Sequence, residues 1–128
     1  MKELERKILK HLRDRRWDDL RPVDIAKSIM IEGGELLELF QWENLSLEEI
    51  KRDKNKLEEI KNELADVLIY AIEMLVLLNL DTDKIIRKKL AYVAKKYPAK
   101  LMRARKGEPG TESEYWRIKK EYRKKGLS

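Results

Sequence analysis

The sequence predicts an all-α fold: a helical bundle of four main helices with a helical appendage at the C-terminal end. Three observations predict it. Apolar residues recur at three- and four-residue spacing along nearly the whole chain, no stretch alternates with the period of two that strands require, and helix start and stop signals fall at helix-length intervals. The chain has 128 residues, enough for one core and not for two independent ones, so a single main domain is expected.

Taken in order, Leu4, Ile8, Leu9 and Leu12 make the apolar stripe of a short first helix. Pro22 suits the first turn of a second helix, which the pattern carries to about Gln41. Ser46 and Glu49 form a capping box, S-x-x-E, that opens a third and longest helix running to about Asn79. From Leu64 to Leu78 this helix is apolar nearly all the way round and needs cover on several sides; an oligomer in which these helices pack across a subunit interface would supply it. Asp81 or Thr82 caps a fourth helix that Pro98 ends or kinks. Gly107-Glu108-Pro109-Gly110 breaks the chain, dividing a helical domain, 1–107, from a basic extension, 108–128. In that extension Thr111 and Glu114 repeat the capping-box spacing, and Tyr115, Ile118 and Tyr122 share one face of a terminal helix.

Composition narrows the function. There is no cysteine, which excludes disulfides, thiolate–zinc sites and cysteine nucleophiles and permits a reducing compartment. The N-terminal stretch mixes charged with apolar residues unlike a signal peptide, and the apolar run Val67–Leu78 is broken by Glu73 and shorter than the roughly 20 residues that span a bilayer. A cytoplasmic protein with no membrane partner is the expectation. Net charge is +6, but residues 1–83 carry 14 Lys/Arg against 20 Asp/Glu, whereas residues 84–128 carry 16 against 4. An acidic, cation-suited part therefore precedes a strongly basic one, as a site for a cation-bound polyanion would need, although a solvated helix with a basic tail has the same composition.

The strongest clue to chemistry is a pair of acid pairs, Glu32 with Glu35 and Glu63 with Asp66, each three residues apart inside apolar helical sequence. On a helix such residues are surface neighbours, so each pair presents two carboxylates on one face. Four crowded carboxylates repel one another and lose hydration unless a cation lies between them, and oxygen-only sites favour Mg²⁺, with Mn²⁺ as the alternative. For Asp66 alone, set among Leu64, Val67, Leu68 and Ile69, a structural hydrogen-bonding role is the competing reading. Gly33 and Gly34 interrupt the first acid pair at a cost of roughly 1 kcal/mol each relative to alanine, which close helix packing or room for a ligand would offset. Carboxylate cages that hold iron in helical bundles recruit histidines through Glu-x-x-His pairs, and this chain has only His11, in a charged helix expected to lie away from both acid pairs and read as a surface residue. Ser28 and Ser46 lack a histidine base, and no glycine-rich phosphate loop is present. Any hydrolysis would then use water activated by metal and carboxylate.

Ser28 to Trp42 (SIMIEGGELLELFQW), then Glu63 to Tyr70 (ELADVLIY), then Lys96-Tyr97-Pro98, resemble the MazG-like nucleotide pyrophosphohydrolases, in particular the single-domain branch that includes dCTP pyrophosphatases. The family pattern is E-x-x-E, a gap, then E-x-x-D; here the gap is 27 residues, and the resemblance extends from about Trp17 to Gly107. It implies an all-α homodimer or homotetramer hydrolysing a nucleoside triphosphate to the monophosphate and pyrophosphate. Glu32, Glu35, Glu63 and Asp66 would hold Mg²⁺, and Glu35 would also act as the catalytic base. Trp17 and Trp42 match aromatics that enclose the base in relatives, and Lys89, Lys96 and Tyr97 would bind substrate. One departure stands in the third motif: relatives carry asparagine where this chain has Val93, which leaves sugar recognition open.

The alternatives are a helical nucleic-acid-binding protein and a non-catalytic nucleotide-binding one. The first would use the basic region from Lys100 to Lys125, with Tyr115 and Trp116 available to stack on bases.

Overall fold

The computed structural model describes residues 2–105 and 114–127. Every regular element among them is a helix: α1 (Lys2–Asp14), α2 (Pro22–Glu38), α3 (Leu47–Arg52), α4 (Lys54–Leu77), α5 (Thr82–Lys96), α6 (Ala99–Arg105) and α7 (Glu114–Lys124). The chain divides into two compact units, Met1–Thr82 and Asp83–Ser128, at the point where its charge changes sign. The predicted break at 107–110 and the predicted cap Thr111 lie outside the described residues.

In the first unit α4 packs against α1, α2 and α3. Ile8 and Leu12 of α1 meet Ile72 of α4, with Val76 and Leu77 packed around them. Leu12 is completely buried. Just beyond it α1 stops in a tight C-terminal turn: the Trp17 N–H donates to the Leu12 carbonyl (2.8 Å) and the Arg16 N–H to that of Arg13 (3.0 Å). Arg16 takes the left-handed conformation there, φ +56°, which costs a non-glycine residue about 1–2 kcal/mol. That turn fixes Trp17 immediately beside the core.

Arg21 is extended (φ −73°, ψ 136°), as the residue before a proline must be, and Pro22 opens α2. The helix ends at Glu38, short of the expected Gln41, because Phe40 and Gln41 turn back to bond the carbonyls of Leu37 and Glu38. Lys56, in the first turn of α4, ties the two helices together: its Nζ donates to the Leu39 carbonyl and lies 5.8 Å from the centre of the Phe40 ring.

The single helix expected from Ser46 to Asn79 is two. Ser46 does cap α3, its hydroxyl accepting the Glu49 N–H at 3.2 Å. The chain then breaks at Asp53 (φ −95°, ψ 98°), whose carboxylate accepts the Lys56 N–H at 3.1 Å and starts α4. The 24 residues of α4 rise about 36 Å. Asn79, at φ +55°, closes the helix, with the Leu80 N–H bonding the Leu75 carbonyl at 2.9 Å.

In the second unit α5 ends before Pro98 and α6 starts after it. Ile118 is buried, as the stripe of α7 predicted, and the face it shares holds two aromatic contacts: Tyr122 edge-on to Tyr92 (6.4 Å) and Tyr115 stacked on Tyr97 (4.9 Å).

Candidate functional site

Asp24, Ser28, Glu32 and Glu35 form one stripe of α2, and Glu63, Asp66, Tyr70 and Glu73 form one stripe of α4. The helices pack with Glu32 and Glu35 beside Glu63 and Asp66, and with Asp24 and Ser28 beside Tyr70 and Glu73, so they run antiparallel. One end of the shared face is a carboxylate cluster and the other a pocket.

Carboxylate oxygens of Glu32, Glu63 and Asp66 lie within 4.8 Å of one another. Glu35 reaches hydrogen-bonding contact with both Glu32 and Glu63, and both it and Asp66 are exposed, so Asp66 is not the buried acid that its apolar neighbours in sequence suggested. Loss of hydration raises the Glu32 carboxyl above its ordinary pKa, and the hydrogen bond and charge of Glu35, then the charges of Asp66 and Glu63, push it further. Glu63 is raised in the same way, by desolvation first and by the Glu35 charge next. One oxygen of each, Glu32 Oε2 and Glu63 Oε2, is sealed from solvent with no hydrogen-bond partner. Buried polar atoms are ordinarily paired, and two orphaned carboxylate oxygens aimed into one cluster fit a hard cation. All four acids predicted from the sequence are therefore brought together.

Gly33 and Gly34 lie on this same helix, yet a Cβ placed on either meets nothing within 4 Å. Close helix packing within the chain is not their use.

Adjoining the cluster, a pocket of about 350 Å³ is walled by His11 of α1 and Trp17 just beyond that helix, by Ile25 and Ser28 of α2, and by Asp66 and Tyr70 of α4. Asp66 belongs to both features. Trp17 lines it, about half exposed, with His11 edge-on to its ring and the ring centres 6.0 Å apart. His11, read from the sequence as an ordinary surface residue, thus sits at the pocket because α1 packs on α4, a contact that no local spacing announces. Glu73 was equally unheralded as a site residue, although its place in an apolar run and its seven-residue offset from Asp66 were the available signals.

Trp42 is elsewhere: it is 87% exposed, in the turn after α2, and does not line this pocket. Lys89, Lys96 and Tyr97 belong to the second unit. Lys89 lies 4.9 Å from the Tyr92 ring centre, and Lys96 is buried between Tyr97 and Tyr122 (5.3 and 4.6 Å). Val93, in the place of the family asparagine, is half-buried in α5. Tyr115 and Trp116, the candidate stacking platforms of the nucleic-acid alternative, pack on each other at 5.2 Å with Lys119 over both rings.

The profile of the MazG-like family matches residues 27–107, which takes in both acid pairs and the Tyr97-Pro98 motif. The chain belongs to the MazG-like family. A solved structure, described as a pyrophosphatase from Archaeoglobus fulgidus, superposes on this MazG-like chain with a TM-score of 0.66; it is 34% identical and the alignment covers 77% of this chain and 92% of the other. Among curated proteins none matches. The MazG-like match begins after Trp17 and His11, so half of the pocket wall lies outside the matched span. No helix among the described residues is long and apolar enough to cross a membrane.

Proposed function

We propose that the chain is a divalent-cation-dependent nucleoside triphosphate pyrophosphohydrolase that cleaves between the α- and β-phosphorus and releases the monophosphate and pyrophosphate. The observation that carries this reading is Asp66, which belongs at once to a cluster with orphaned carboxylate oxygens and to a pocket of about 350 Å³ bearing an aromatic ring. A cation-bound phosphate chain and its attached base need just such adjoining sites. Membership of the MazG-like family and the likeness to a solved pyrophosphatase support it.

Half-buried Glu32 and Glu63, with Asp66 and Glu35 at the solvent side, would hold the ion. Mg²⁺, or Mn²⁺ in its place, would supply there the positive charge that offsets the charge building on the pyrophosphate leaving group. Glu35 orients the attacking water and takes its proton as the new oxygen–phosphorus bond forms and the bond to the bridging oxygen breaks. Its exposure and its hydrogen-bonding contact with two of the ion-holding carboxylates suit it to that exchange. Trp17 provides a face on which the base stacks, and the apolar wall formed with Ile25 excludes water from it.

The working form is a homodimer or homotetramer in the cytoplasm. Support comes from α2, whose Val23, Met30, Ile31 and Leu37 stay exposed beside the open notch at Gly33 and Gly34, and from Leu64 and Leu68 of α4, exposed as well. The reaction is tested by incubating the pure protein with canonical and modified dNTPs and NTPs plus Mg²⁺. Release of monophosphate with pyrophosphate is expected; orthophosphate with diphosphate would overturn the reading.

A further inference from the structure

At the inner end of the pocket is a carboxyl that the reaction above does not use. Glu73 is only 5% exposed, lies two helical turns along α4 from Asp66, and lines the same cavity as Trp17 and Tyr70. Its Oε2 is sealed from solvent and has no hydrogen-bond partner, and no ion pair reaches the side chain. A buried carboxyl oxygen without a partner is costly, and in a native fold it calls for an explanation, of which a ligand that completes it is one.

We propose that Glu73 reads the base: its carboxyl accepts a hydrogen bond from the exocyclic amino group of cytosine, adenine or guanine, and so selects nucleotides carrying amino bases over those of uracil and thymine. The inference rests on the reading of this pocket as the base site. Its position supports it. The ring that stacks on Trp17 has its phosphates directed towards the Asp66 end, which leaves its far edge towards Glu73. Burial raises the Glu73 carboxyl above its ordinary pKa. An ionised carboxylate accepts both N–H groups of a guanine edge. Through one oxygen it accepts the exocyclic amino group of cytosine or adenine. Uracil and thymine instead present carbonyl oxygens on either side of one N–H, and their lone pairs face an ionised carboxylate unfavourably.

The test uses the full-length protein and the product monophosphates, which need neither metal nor turnover. Calorimetric titration with dCMP, dAMP, dGMP and dUMP in chelator is expected to give at least one amino-base nucleotide an affinity about tenfold or more above that of dUMP. In Glu73→Gln the amide can turn either its oxygen or its nitrogen to the base, and the preference should fall to within about threefold. Glu73→Leu, which fills the volume without any polar atom, should weaken the amino-base nucleotide and leave dUMP nearly unchanged. Circular dichroism of both variants controls for folding. Equal affinities for all four nucleotides in the wild type, no binding at all, or a preference that survives Glu73→Gln would overturn the proposal. Absence of hydrolysis with triphosphates would instead count against the reaction alone, since the monophosphate titrations do not depend on it.

Discussion

Asp66 separates charge from shape, because its oxygen serves the carboxylate cluster while its side chain also walls the pocket. Asp66→Asn keeps the shape and removes the charge. Activity should fall at least about a hundredfold with no loss of helical signal, and a variant of full activity would take Asp66 out of the site. Glu73 gives the pH dependence. Its pKa is raised by burial, so its contribution to stability is present at low pH and is lost as pH rises through the folded value. Glu73→Gln should therefore melt at a higher temperature than wild type at neutral pH, with the difference closing on acidification; an unchanged or lower melting temperature at neutral pH would show that the carboxylate is satisfied. At this scale the acids of the cluster were legible because spacing on one helix is local information. His11 and Glu73 were not, since their meaning depends on α1, α2 and α4 meeting, and an isolated histidine or a glutamate in an apolar run has many commoner explanations.

Between residues and molecule, the helix signals worked where the chemistry is short-range. Ser46 caps as its S-x-x-E spacing predicts, and Pro22 and Pro98 sit at boundaries. Asp53 was missed because it lies in a run of lysines without glycine or proline, where an acid reads as one more solvated charge. Its carboxylate nevertheless holds the first turn of α4. Asp53→Ala should cost about 1 kcal/mol in denaturant unfolding, as capping residues typically do, and a change of no more than a few tenths would mean that Lys56 alone secures the start of α4 through the Leu39 carbonyl.

For the whole molecule, the apolar surface of α2 and α4 that this chain leaves open predicts self-association. Met30→Glu, at a residue 75% exposed, should shift the protein to a smaller species in light scattering while leaving helicity intact; an unchanged mass would place the interface elsewhere. Cation binding should be visible in global stability too. An ion that binds only the folded state at 100 times its dissociation constant stabilises by about 2.7 kcal/mol, so Mg²⁺ should raise the melting temperature of wild type and not of Asp66→Asn. The all-α architecture was readable throughout because helical periodicity is carried by the whole chain. Which apolar residues of α4 this chain leaves exposed, Leu64 and Leu68 among them, was not, for a surface buried by a second copy and one buried by the chain itself leave the same apolar pattern. The central claim is attack of water on the α-phosphorus at the carboxylate cluster. Turnover of a preferred triphosphate with Mg²⁺ in water enriched in heavy oxygen tests it most directly: the account predicts one labelled oxygen in the monophosphate and none in the pyrophosphate, and label in pyrophosphate or orthophosphate would contradict it.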